Sequence, residues 1–175
     1  LYGGYCVDLL DASRFATLYD YDSTKQLVHS PGAYDPHRKE IQNYIMDYST
    51  PIFSPTGGMK ISAADLARYM TMHMQHGKYN GVRIISKKSS RIMQTTVAEK
   101  EGYALALLHT DKLITGKKLT GHTGVAYGLY SAMFFNSKKK FGIVVITNGC
   151  NPVYKDGYNL VVRRAVNILY ENLVK

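Results

Sequence analysis

Two apolar runs, Leu129–Asn136 and Phe141–Thr147, stand on either side of the short polar link Ser137-Lys138-Lys139-Lys140. Their aromatic and β-branched residues suit a pleated, packed surface, so the runs pair as an antiparallel hairpin closed by the charged link. The lysines there also discourage edge-to-edge association. Such a hairpin needs cover on at least one face. The segment Tyr154–Leu173 supplies it as a helix, with Leu160, Val161, Arg164, Ala165, Ile168 and Leu169 marking its stripe. Two further strands are expected at Tyr103–Thr110 and Lys118–His122. The second half of the chain is thus an antiparallel sheet closed by a C-terminal helix.

The first half is organised differently. Ser62-Ala63-Ala64-Asp65 opens a helix in the manner of a capping box, and Leu66, Tyr69, Met70, His73 and Met74 follow at helical spacing. That helix is predicted over Ala63–His76, with Gly77 as the C′ residue. A shorter helix follows Ser86 as N-cap and contains Arg91, Ile92 and Met93. Before residue 54 the periodicity is weak. Turn formers cluster at Asp20, Asp22 and Ser23, at Ser30-Pro31-Gly32 and at Asp35-Pro36, leaving two short strands and a short helix near Lys39–Met46. The turn Pro55-Thr56-Gly57-Gly58 separates the two styles. The fold class is therefore α/β of the α+β kind, an antiparallel sheet flanked by helices. Residues 1–53 are loop-rich, 54–100 helical, 101–150 antiparallel strands and 151–175 the terminal helix.

Charge narrows the partners. There are 22 Lys and Arg against 13 Asp and Glu, a formal +9, which favours acidic partners in general. The basic residues are scattered over expected turns and helix ends, and no nucleic-acid-reading module accompanies them, so nucleic acid is not expected. No apolar run approaches the roughly 20 residues that span a bilayer. Cys6 and Cys150 lie far apart, and either a disulfide or two buried thiols fits them. Without Cys-x-x-Cys spacing a structural zinc site is unsupported. His73 and His76 are three apart on the expected helix but lack a third ligand; His73 is expected at the edge of the apolar face and His76 in the solvent-facing last turn, and His29, His37 and His109 have no partner pattern. No metal or cofactor is expected.

Three segments carry chemistry together. Gly57-Gly58-Met59-Lys60-Ile61-Ser62-Ala63-Ala64-Asp65-Leu66-Ala67-Arg68-Tyr69, then Gly121-His122-Thr123-Gly124, then Phe141-Gly142-Ile143-Val144-Val145-Ile146-Thr147-Asn148 occur in that order. Together they resemble the serine β-lactamase and penicillin-binding-protein family, with its D-amino peptidases and esterases. The likeness covers residues 14–175, loosely before Ser54. It implies a β-lactamase/transpeptidase-like fold in which His-Thr-Gly is the third active-site motif. In that reading His122 takes the place of the usual lysine, bringing positive or donor character to the reacting groups. Thr123 hydrogen-bonds the substrate carboxylate and Gly124 gives clearance. The Val125 backbone N–H forms half of the oxyanion hole. Many relatives carry a second glycine where Val125 stands, which questions substrate clearance but not the donor.

The family's first motif, Ser-x-x-Lys at a helix start, has only the formal match Ser137-Lys138-Lys139-Lys140, which falls in a hairpin turn. Its second, Tyr-x-Asn, is matched formally by Tyr170-Glu171-Asn172 in the last helix. Both follow the third motif, whereas the family places them before it. There is also no Gly-x-Ser-x-Gly elbow or His-Glu-x-x-His helix. The chain starts at Leu and is expected to be the C-terminal part of one domain, inert alone, its nucleophile upstream. The resemblance implies an acyl-enzyme hydrolase acting on a D-alanyl peptide, a β-lactam or an ester, in the cell envelope, periplasm or medium. Homo-oligomers through an exposed sheet edge are expected. The alternative is a non-catalytic module that binds cell wall or peptide in the same groove.

Overall fold

The structure is a computed structural model that describes residues 2–36, 38–46 and 58–175. His37 and the Pro55-Thr56-Gly57 part of the expected turn lie outside the described residues. The first part of the chain contributes β1 (Gly3–Gly4), β2 (Tyr19–Tyr21), β3 (Leu27–His29) and the short helix α1 (Arg38–Gln42). The middle contributes β4 (Lys60–Ile61), α2 (Ala63–Met74), β5 (Lys78–Tyr79), β6 (Val82–Arg83) and α3 (Lys87–Met93). The main sheet follows as β7 (Leu108–Thr110), β8 (Leu119–Ala126), β9 (Leu129–Asn136) and β10 (Phe141–Thr147). A last hairpin, β11 (Tyr154–Lys155) and β12 (Tyr158–Asn159), runs directly into α4 (Leu160–Leu173).

β9 is the spine. The four main strands lie in the order β10-β9-β8-β7, all antiparallel. Successive side chains of a strand point to opposite faces, and β9 is apolar on both. Tyr130, Ala132 and Phe134 join a core with Leu113, Leu119, Ile143, Val162 and Val166, under α4. Met133 and Phe135 join a second core with Met70, Ala104 and Leu107, under α2. Phe134 and Phe135 are each 1% exposed. Burying a side chain of that kind stabilises by about 1.5–3 kcal/mol, so this one dipeptide fastens both helices to the sheet.

Turns and caps explain the boundaries. Tyr127-Gly128, Asn80-Gly81 and Asp156-Gly157 all have positive φ at both residues, the two-residue I′ arrangement that matches strand twist. They close the β8–β9, β5–β6 and β11–β12 hairpins. The serine caps work as the sequence reading has them: Ser62 Oγ accepts from Asp65 N–H and Ser86 Oγ from Ser89 N–H. α2 ends at Met74, two residues earlier than expected. Gly77 N–H reaches the Met72 carbonyl at 2.8 Å and His76 N–H the His73 carbonyl at 3.0 Å, a Schellman closure with His76, not Gly77, at C′.

Three further expectations need correction. The strand expected over Tyr103–Thr110 is only Leu108–Thr110, because Ala106 adopts a φ of 59° and breaks it. Tyr103 instead bridges to Ala98 and Leu108. The terminal helix begins at Leu160, not Tyr154, since Asp156-Gly157 makes a hairpin and Asn159 Oδ1 caps Val161 and Val162 N–H. Its buried side is Val162 and Val166, with Leu169 and Tyr170 beside them, while Val161 and Ile168 are exposed. The cysteines are both free, Cys6 exposed and Cys150 half-buried against Asn159.

His73, expected at the edge of α2's apolar face, is fully buried at 1% exposure. Its ring meets the edge of Tyr69 at 4.7 Å, and its carbonyl accepts from Gln94 Nε2 just beyond α3. Burial holds its imidazole below the ordinary 6.5. Asp65 on the same helix accepts from Tyr2 N–H, then from Arg68 and Ser62. These bonds hold its carboxyl below the ordinary 3.8. Both groups are depressed in the folded state. Each contributes stability that is complete above its ordinary value and lost as pH falls through its folded one. The melting temperature should therefore fall in two acid windows, one beginning below about 6.5 and one below about 3.8. His73→Leu is expected to remove the first and Asp65→Asn the second, read as melting temperature against pH.

Candidate functional site

β8 has two different edges. From Thr120 to Ala126 it pairs with β9, but β7 reaches only to Gly121. From His122 onward no described strand pairs with the other edge. His122-Thr123-Gly124-Val125 therefore sits on strand backbone with one side open, further along β8 than the expected Lys118–His122 strand would have put it. Residues two apart turn their N–H and C=O groups to the same side, so Thr123 and Val125 share an edge. Val125 is 58% exposed.

Register assigns the faces. His122 lies opposite Met133 and Gly124 opposite Ser131, on the α2 face. Thr123 lies opposite Ala132, on the α4 face. A cleft of about 1130 Å³ opens where the α2 face runs out beyond that helix, a little above the usual size for ligand sites. One wall is the His122–Tyr127 segment with Ser131 and Ile146. The other is Tyr2, Arg14, Phe15 and Tyr34, with Met59 and Lys60 leading to the start of α2. Because the motif is at the sheet's rim, residues from both of its faces border the cleft.

The far wall is fastened by backbone. Tyr19 N–H donates to the Asn148 carbonyl at 2.9 Å, and Asn148 Nδ2 donates to the Thr17 carbonyl at 3.0 Å. Gly128 and Gly149 back onto Tyr19, where an added Cβ would come within 2.0 and 2.8 Å of its carbonyl oxygen. Asn148, the last residue of the third sequence segment, is thus a tether for the wall. Phe15 and Tyr34 stack at 4.6 Å, and the Arg14 guanidinium lies 3.9 Å over the Tyr2 ring.

The cleft's charge has one sign. Arg14 and Lys60 line it and no Asp or Glu does, among the described residues. Desolvation in the wall holds the Lys60 ammonium below the usual lysine range, and its Nζ donates to the Gly58 carbonyl at 3.1 Å. Neither cation is marked by a motif of its own in the sequence. A pair of basic residues flanking short apolar stretches was too ordinary a signal to find them.

His122 is hydrogen-bonded at both ring nitrogens, Nδ1 to the Thr123 carbonyl and Nε2 to Tyr103 Oη at 3.1 Å. Both ring nitrogens thus have partners within the protein, and the residue lines the cleft. His109, without a pattern in the sequence, ties β7 to β8 and to the end of α3. Its rings nitrogens meet Thr120 Oγ1 at 2.9 Å and the Gln94 carbonyl at 2.8 Å. Ser137–Lys140 is the β9–β10 turn and Tyr170–Asn172 lies in α4; neither borders the cleft. No group of three His, Cys, Asp or Glu among the described residues is placed to hold a metal ion. No described helix is long and apolar enough to cross a membrane.

Residues 7–167 match the family described as Beta-lactamase, and the chain belongs to that family. Among solved structures it is similar to the octameric penicillin-binding protein homologue from Pyrococcus abyssi, with a TM-score of 0.62 at 23% identity. That alignment covers 97% of this chain and 34% of the other, so the chain spans about a third of its length. The likeness bears out the β-lactamase/transpeptidase-like fold. A comparison with curated proteins gives no match.

The glycines of the motif make separable demands. A Cβ on Gly121 would lie 1.9 Å from the Met133 carbonyl oxygen, which is backbone, whereas one on Gly124 would meet only Ser131 Oγ at 2.6 Å. Gly121→Ala is expected to destabilise by about 2–4 kcal/mol. Gly124→Ala should cost about 1 kcal/mol or less, and adding Ser131→Ala should recover it. Denaturant unfolding of the three variants checks the ranking.

Proposed function

We propose that the protein is a serine acyl-transfer hydrolase whose substrate lies along the open edge of β8. The observation that carries this is the His122-Thr123-Gly124-Val125 edge forming one wall of a cleft lined by Arg14 and Lys60 and no acid. A strand edge offers backbone donors and acceptors to an extended substrate. The two cations favour a substrate bearing a carboxylate, held also by the Thr123 hydroxyl. In this reading the nucleophile is the serine of a Ser-x-x-Lys motif upstream of residues 1–175, which alone are inert. Its oxygen attacks the substrate carbonyl and its proton passes to a neighbouring base. The carbonyl oxygen, charged in the tetrahedral state, is held partly by the Val125 N–H, a donor of a kind worth about 3–4 kcal/mol. Expulsion of the amine or alcohol leaves an acyl-enzyme; in a lactam the amine stays tethered. Water then cleaves the ester and restores the serine.

D-alanyl peptides, β-lactams and esters are the proposed substrate classes. An envelope or secreted location belongs to the same proposal. The outer edge of β10, which no described strand covers, supports pairing with a further strand or a second copy.

The test is the intact mass of the natively produced protein before and after incubation with a penicillin. One penicilloyl adduct is the expected result, and Thr123→Val should slow its formation roughly tenfold, the loss of one hydrogen bond to a charged group. No adduct together with ligand-induced stabilisation would instead favour a non-catalytic cell-wall or peptide-binding module.

A further inference from the structure

His122 presents an imidazole whose two nitrogens face chemically different partners. Nδ1 lies against the carbonyl oxygen of Thr123, the next residue on the strand. A carbonyl can only accept, so in the neutral ring Nδ1 carries the proton and Nε2 carries a bare lone pair. That lone pair faces Tyr103 Oη at 3.1 Å, and the two rings meet edge to face at 5.7 Å and 63°. The phenol must therefore be the donor.

Tyr103 is well fixed for this. Its N–H donates to the Ala98 carbonyl at 3.1 Å, and its carbonyl accepts from Val97 and Ala98 N–H at 2.8 and 3.0 Å. It bridges to Leu108, which pairs with Gly121, the residue before His122. Tyr103 does not border the cleft, so it reaches His122 from outside the space where a substrate would lie.

We propose that Tyr103 is a positioning residue for the site: its hydroxyl donates to Nε2 of His122, holding the ring in one orientation and keeping the basic nitrogen occupied. The role rests on the reading of the β8 edge as the acyl-transfer site, although the hydrogen bond can be tested without any reaction. It has a direct consequence for that chemistry. With Nδ1–H given to Thr123 and Nε2 taken by Tyr103, His122 shapes the strand edge, and the cleft's positive charge is left to Arg14 and Lys60.

The experiment is nitrogen NMR of the natively produced protein labelled in its histidine rings, as the wild type and as Tyr103→Phe, which keeps the ring and removes only the hydroxyl. The expected wild-type spectrum has a protonated, pyrrole-like Nδ1 and a pyridine-like Nε2 for His122. In Tyr103→Phe the Nε2 resonance should move to lower field while Nδ1 stays in place. Formation of the penicilloyl adduct should slow about threefold to tenfold at saturating penicillin, the effect of one hydrogen bond. A wild-type His122 protonated at Nε2, an Nε2 resonance unmoved by Tyr103→Phe, or an unchanged acylation rate would each overturn the proposal. The wild-type spectrum decides the first point even if the variant does not fold. A protein that shows the expected resonances but forms no adduct would sink the acyl-transfer reading and leave the Tyr103–His122 hydrogen bond standing.

Discussion

Phe134 and Phe135 are consecutive residues, and a strand must send them to opposite faces. Each is almost completely buried, one beneath α4 and the other beneath α2. That requirement makes β9 an interior strand with a neighbour on either side and a helix on either face. Everything functional is positioned from it. β8 is held in register against β9, and the start of α2 is brought to the rim where the motif lies. Replacing either phenylalanine by alanine would remove about 3–5 kcal/mol by the usual measure of a core cavity, and the cleft's two walls would lose their common reference.

The site follows from where layers stop rather than from any local irregularity. α2 covers the sheet beside Met133, Phe135 and Val144 but not beside Gly124, Ser131 and Ile146, and the uncovered part becomes the floor of the cleft. β7 stops at Gly121, and the uncovered edge becomes its lip. The polar residues placed there then do different work. Arg14 and Lys60 set the sign of the charge, Thr123 and Val125 share one backbone edge, and His122 is committed to Thr123 and Tyr103.

Strand periodicity made β9 and β10 legible residue by residue, because both are apolar runs bounded by a charged turn. Serine caps did the same for the starts of α2 and α3. The strand expected over Lys118–His122 stops short of β8, which runs on through Thr123-Gly124 to Ala126 and turns at Tyr127-Gly128. The β11–β12 hairpin was absorbed into a helix even though Asp156-Gly157 is a hairpin signal in its own right. In the site, the His-Thr-Gly motif was readable and its surroundings were not. Arg14, Lys60 and Tyr103 reach it from separate parts of the chain, and nothing in their neighbours announces a meeting made only by tertiary packing. His73 was assigned to an edge because helical spacing gives a face but not how deeply that face is covered.

Gly128 and Gly149 both abut the backbone carbonyl of Tyr19. At Gly128 the β8–β9 hairpin thus meets Tyr19 and Asp20 main chain against main chain, with no side chain in that contact to be enlarged or trimmed. A lineage adapting this cleft to a new substrate cannot widen or narrow it by small steps at that seam. Variation is channelled to the residues that project into the space, Arg14, Tyr34, Met59 and Lys60. Ligand preference can drift through them while the gauge of the groove is inherited unchanged.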